Sequence, residues 1–174
     1  MVARKPTAHT ATEPPRTGAE ALKTLLGRTE AAPGHVDGAQ TGTNANPPLW
    51  IGTLPVTPPS LNTYARMHWA VKKRTREAFQ WEVWAAISGA NGDRCPRGLD
   101  AVELRAVLTF PVVRGRDADN FGSTLWKFTQ DVLTQQGVIP DDTADRCTGH
   151  PPKILVGDRE QTLLMLWERE RSTR

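Results

Sequence analysis

At 174 residues, with 38% hydrophobic and 24% charged residues, the chain has room for one domain with a real core and is short for two. No apolar run approaches the roughly 20 residues of a bilayer-crossing helix, and the N-terminus lacks the apolar stretch of a secretory signal, so a cytoplasmic protein with no membrane partner is expected. A net charge of +3 is by itself a weak pointer to nucleic acid, and the distribution of charge carries more information than the total.

Residues 1–48 are rich in Ala, Thr, Gly and Pro and read as a disordered tail, with one short helical pattern around Leu22, Leu25 and Leu26. A first strand is expected over 50–56, closed by Thr57, Pro58, Pro59 and Ser60. A loop through Asn62 and Tyr64 leads to a helix over 70–88, with Val71, Phe79, Val83 and Ile87 on one face and Lys72, Lys73, Arg76 and Gln80 away from it. Residues 101–113 alternate as a second strand. Asp119 or Asn120 is placed to cap a second helix over 121–136, with Gly137 just past its end. Residues 144–170 read as two strands around Gly157, the first made irregular by Pro151 and Pro152. The order is β-α-β-α-β-β, an α+β arrangement.

The chemistry concentrates between the second strand and the last two. Arg114 and Arg116 flank Asp117 and Asp119, and Asp141 and Asp142 follow across the second helix. Carboxylates so close repel one another unless a cation lies between them, and Mg²⁺, with Mn²⁺ as the alternative, prefers oxygen ligands and bridges to phosphate. Asp117 and Asp119, two apart on an extended segment, share a face. The neighbouring arginines suit a phosphate polymer. Helix capping by Asp119 or Asn120 and an ordinary turn at Asp141 and Asp142 are the competing readings. Arg66, Lys72, Lys73, Arg74 and Arg76 form a basic segment without an acid among them, suited to backbone phosphates. His68 adjoins it, as do Trp69, Trp81 and Trp84, for which core or dimer packing is the first reading and base stacking the second. Lys127 and Asp131 have the spacing of a helical ion pair. Cys95 and Cys147 read as free thiols, since Cys147 and His150 lack the second close-spaced pair that zinc requires.

Arg116-Asp117-Ala118-Asp119-Asn120, then Lys127, Asp131-Val132-Leu133, Gly137-Val138-Ile139 and Asp141-Asp142, resemble the RusA family of Holliday-junction resolvases. Upstream, the segment 54–64 with Pro58, Pro59, Ser60, Asn62 and Tyr64 is similar to that family's N-terminal strand and loop. The resemblance implies one domain over 49–174, a mixed sheet with two helices, and a homodimer that nicks four-way DNA junctions with Mg²⁺ in recombination and repair. It assigns metal ligation to Asp117, Asp119 and Asp142, with Asp141 in reserve, and phosphate contacts to Arg116 and Lys127. The interval from Asn120 to Lys127 is about one helical turn longer than in the family's best-known member, which nearly preserves the face. A DNA-binding protein without activity, a nuclease for other branched DNA, and a small regulatory or packaging protein remain the alternatives.

Overall fold

A computed structural model describes residues 46–90 and 92–169, so residues 1–45 of the expected tail lie outside the described residues. The last part of that tail already runs beside the sheet, with Asn46 O accepting from Trp167 Nε1 at 2.9 Å, and Leu49, at the start of the domain, donates its N–H to Leu166 O at 2.8 Å.

The described elements are β1 (Trp50–Leu54), α1 (Leu61–Arg66), α2 (Trp69–Ile87), β2 (Val102–Phe110), α3 (Asp119–Gln135), β3 (Cys147–Gly149), β4 (Lys153–Val156) and β5 (Gln161–Glu168). β5 lies antiparallel between β1 and β2, while β3 and β4 pair in parallel with the other edge of β2. The α+β class and the mixed sheet follow the sequence reading, and two details correct it. Residues 61–66 are helical rather than a loop, because Ser60 Oγ accepts from Thr63 N–H at 3.2 Å and starts a short turn of helix. A six-residue helix is too short to show a period. The strand expected before Gly157 is two strands, since Pro151 and Pro152 bring no N–H to the ladder. Pairing with β2 stops at Leu104↔Gly149 and resumes at Val107↔Lys153. The observed order is therefore β-α-α-β-α-β-β-β, with three helices rather than two.

β2 alternates as expected: Val102, Leu104, Ala106 and Leu108 are buried, with Glu103, Arg105 and Val107 only partly covered. That buried row meets Phe79, Val83 and Ile87 of α2 and Leu125, Phe128, Val132 and Leu133 of α3 in one core. The expected face of the first long helix needs revision. Val71 is exposed, whereas Gln80 turns toward α3 and donates from Nε2 to Asp131 Oδ2 at 3.2 Å. Lys72 is half-buried, with Nζ 5.8 Å from the centroid of the Tyr64 ring.

One close approach registers α3 on the sheet edge. Trp126 is buried over Gly149, and its Nε1 donates to His150 O at 2.9 Å. A Cβ on Gly149 would lie 2.6 Å from the indole ring, well inside contact distance. Gly149→Ala should therefore destabilise the domain by about 1–3 kcal/mol through overpacking, read as a lower urea midpoint with an unchanged slope.

Candidate functional site

The acid pair stands where β2 hands over to α3. Beyond Phe110 the chain runs exposed through Val112, Val113 and Arg114, and α3 starts at Asp119. Neither Asp119 nor Asn120 caps the helix as expected. Ala118 occupies the cap position without a side-chain bond, and Asp117 Oδ1 instead accepts from Asp119 N–H at 3.1 Å. Asp117 thus closes the turn that launches the helix, and Asp119, in the first turn, sits at the positive end of the helix dipole. Both carboxylates are exposed.

Asn120 has a different task. Its Oδ1 accepts from Asn62 N–H at 3.3 Å, and four residues on Thr124 Oγ1 donates to Pro59 O at 2.6 Å. The 54–64 segment is held in this way against the first turns of α3, beside the acid pair. Arg116 is pinned on the other side: its guanidinium lies 3.9 Å from the centroid of Phe110, and Nη1 donates to Val112 O at 2.8 Å. Its Nε is buried with no hydrogen-bond partner among the described residues. Arg114 is exposed.

Asp142 does return to α3, but to Lys127 rather than to the acid pair. Lys127 Nζ lies 2.9 Å from Asp131 Oδ1 and 3.0 Å from Asp142 Oδ2. The spacing-based Lys127–Asp131 pair is therefore present, and Asp142 joins it. Hydrogen bonds to Asp131 first and to Asp142 next push the Lys127 ammonium above its ordinary value, which keeps it charged at neutral pH. The lysine side chain is 60% exposed, so water screens much of this attraction. Lys127, Asp131, Thr134, Gln135 and Asp142 line a shallow groove of about 340 Å³. Eight residues separate Asp119 from Lys127, about 12 Å along the helix axis.

Asp141 is occupied by the turn. Its Oδ1 accepts from Thr143 N–H at 3.0 Å and from the Thr143 hydroxyl, and its Oδ2 lies 3.5 Å from Arg146 Nε. Among the described residues, no three His, Cys, Asp or Glu side chains converge on a common point that would hold an ion. The structure thus joins Asp117 to Asp119 and Asp142 to Lys127, as two separate groups along one helix.

Of the basic segment, Arg66, Lys73, Arg74 and Arg76 are exposed, and Lys73 lies 3.9 Å from Glu77. His68 proves to cap α2, its Nδ1 accepting from Ala70 N–H at 3.4 Å. Cys95 and Cys147 are both buried free thiols, pushed by desolvation up to about 12 and about 11 respectively, which keeps them protonated and unreactive. No helix among the described residues is long and apolar enough to cross a membrane.

The sequence matches no family model and no curated protein.

The Asp141 turn gives a pH signature. Its carboxyl is held below the ordinary 3.8, by the Thr143 hydroxyl first and then by the Thr143 N–H. A depressed folded value adds stability that is present above the unfolded pKa and lost as pH falls through the folded one. Thr143→Val should therefore be less stable than the parent in urea at about pH 6, with its deficit shrinking toward about pH 2 as Asp141 becomes protonated in both proteins.

Proposed function

We propose that the chain is a Mg²⁺-dependent endodeoxyribonuclease of the RusA kind, which resolves four-way DNA junctions by paired nicks as a homodimer in recombination and repair. The observation that carries this reading is the meeting of two remote segments. Asn62 and Pro59, from the first stretch that resembles the family, contact Asn120 and Thr124 beside Asp117 and Asp119, from the second.

The donor chemistry fits the ion in part. Mg²⁺ retains several waters and takes one or two carboxylates together with substrate phosphate oxygens, a demand that Asp117 and Asp119 meet. They are the residues that would hold it, with Asp142 as a third only if it leaves Lys127. When bound, the ion supplies Lewis-acid polarisation of the phosphodiester and a water of lowered pKa. Asp117 would keep one oxygen on the turn, fixing its orientation. Arg116, braced on Phe110 and Val112 O, holds its guanidinium beside the acid pair, where a phosphate is the anion that suits it. Lys127, held protonated, acts as a fixed cation rather than a base. Arg66, Lys72, Lys73, Arg74 and Arg76, with Arg114, would meet backbone phosphates away from the cut and set affinity rather than sequence choice. Two symmetric nicks in a junction of two-fold symmetry call for two such sites, which an isologous dimer supplies.

One observation favours a second reading, a DNA-binding protein that does not cut. Asp142 already faces the Lys127 ammonium, which it shares with Asp131, and gains less from a metal.

Labelled four-way junction, matched duplex and single strand, each with and without Mg²⁺, separate the two. The enzyme reading expects junction-selective symmetric nicking that falls on the order of 100-fold or more in Asp117→Asn and Asp142→Asn, with junction binding retained. Binding without cleavage in Mg²⁺ or Mn²⁺ would sink it.

A further inference from the structure

α2 buries one side and leaves large aromatic groups on the other. Trp69, Trp81 and Trp84 are 71%, 62% and 38% exposed, although tryptophan is among the costliest side chains to leave in water. They are not core residues. Trp81 and Trp84 lie against each other, with ring centroids 4.8 Å apart and planes inclined by 23°, so the pair presents a broad apolar surface outward. The same helix carries exposed Lys73, Arg74 and Arg76, with Arg66 just before it. Arg74 precedes Trp81 by two helical turns, which places the cation on the tryptophan's side of the helix about 10 Å along the axis. Glu77, one turn before Trp81 on the same side, pairs with Lys73 at 3.9 Å and leaves Arg74 as the cation nearest the rings on this face.

From the exposed rings and the cations beside them, we infer that the outer face of α2 is a stacking platform for unpaired bases of single-stranded DNA. This rests on the reading of the chain as one that acts on DNA, and it adds the kind of DNA that this face takes. The chemistry selects the occupant. Flat aromatic faces stack on bases only where the bases are unpaired, and flanking cations follow the phosphates that join them. Paired bases in a duplex hide those faces. A second copy of the chain would satisfy the tryptophans but would bring the same cations to the interface, whereas a polyanion supplies the opposite charge.

The test uses the full-length protein in EDTA, so that cleavage plays no part, with fluorescein-labelled oligothymidylate and a blunt duplex of equal length. The parent protein is expected to bind oligothymidylate more tightly than duplex, with quenching of its tryptophan fluorescence. The Trp81→Ala/Trp84→Ala double variant should lose about 10-fold or more in affinity for the single strand and change little for the duplex. Trp81→Phe/Trp84→Phe, which keeps aromatic faces, should recover part of the loss. Because these rings lie outside the core, both variants should keep a single cooperative unfolding transition in urea. Equal single-strand affinity in the parent and the alanine variant overturns the inference. So does conversion of a dimer to a monomer by the alanine variant, seen by sedimentation, with oligothymidylate affinity unchanged, which assigns the face to a second copy. Tryptophan-dependent binding of the single strand with no nicking of junctions in Mg²⁺ would leave this inference standing and remove the nuclease reading.

Discussion

The docking of α3 on the sheet is the constraint from which the other features follow. The helix lays Leu125, Phe128, Val132 and Leu133 on the buried row of β2, and Trp126 locks its position along the edge by closing over Gly149. Because an indole ring fills the space that a Cβ would need, the helix has little freedom to slide or roll. Its two ends are fixed in turn. Asp117 closes the turn at the start, and Gly137, at φ 66°, reverses the chain at the finish. The N–H groups of Gly98 and Leu99 donate to the carbonyls of Gly137 and Val138, so the end of α3 is tied to the approach to β2.

That fixed helix distributes the charge. Asp117 and Asp119 sit at its positive end, where the dipole favours anions. Two turns on, Lys127 gathers Asp131 and Asp142 into a second group, in which one ammonium is shared by two carboxylates. The difference matters for chemistry. An exposed acid pair with no ion-pair partner among the described residues attracts a cation, whereas an acid already facing an ammonium gains less from one. The first turns of α3 are therefore a stronger candidate for holding a cation than the Lys127 groove.

Much of this was legible in the residues, and what was hidden has physical causes. β2 shows its period because one face is buried and the other only partly so, and α3 shows its own because a wide apolar stripe covers the sheet. Gly137 and the pair of prolines at 151 and 152 announce breaks, since one permits a left-handed turn and the others withhold donors. α1 was concealed by its length, and the split between β3 and β4 by the same prolines that marked the strand as irregular. α2 misled for a different reason. Val71 and Trp81 look like core residues by composition, yet tertiary packing chose Phe79, Val83 and Ile87 and left them outside. Ligand convergence was beyond reach in principle. Spacing puts Asp117 and Asp119 side by side, but where Asp142 returns depends on the path of the loop after Pro140, which the Asp141–Thr143 turn and the Arg146 contact set.

The exposed tryptophans and the acid pair are linked through one structural intermediary. α1 lies on α3, with Tyr64 edge-on to Phe128 at 5.4 Å and Asn62 bonded to Asn120. Only Met67 and His68 separate α1 from α2, and His68 fixes the start of the longer helix. Lys72, half-buried over the Tyr64 ring, adds a contact between α2 and α1. The short helix α1 has too few residues to stand alone in water, so its order depends on these contacts.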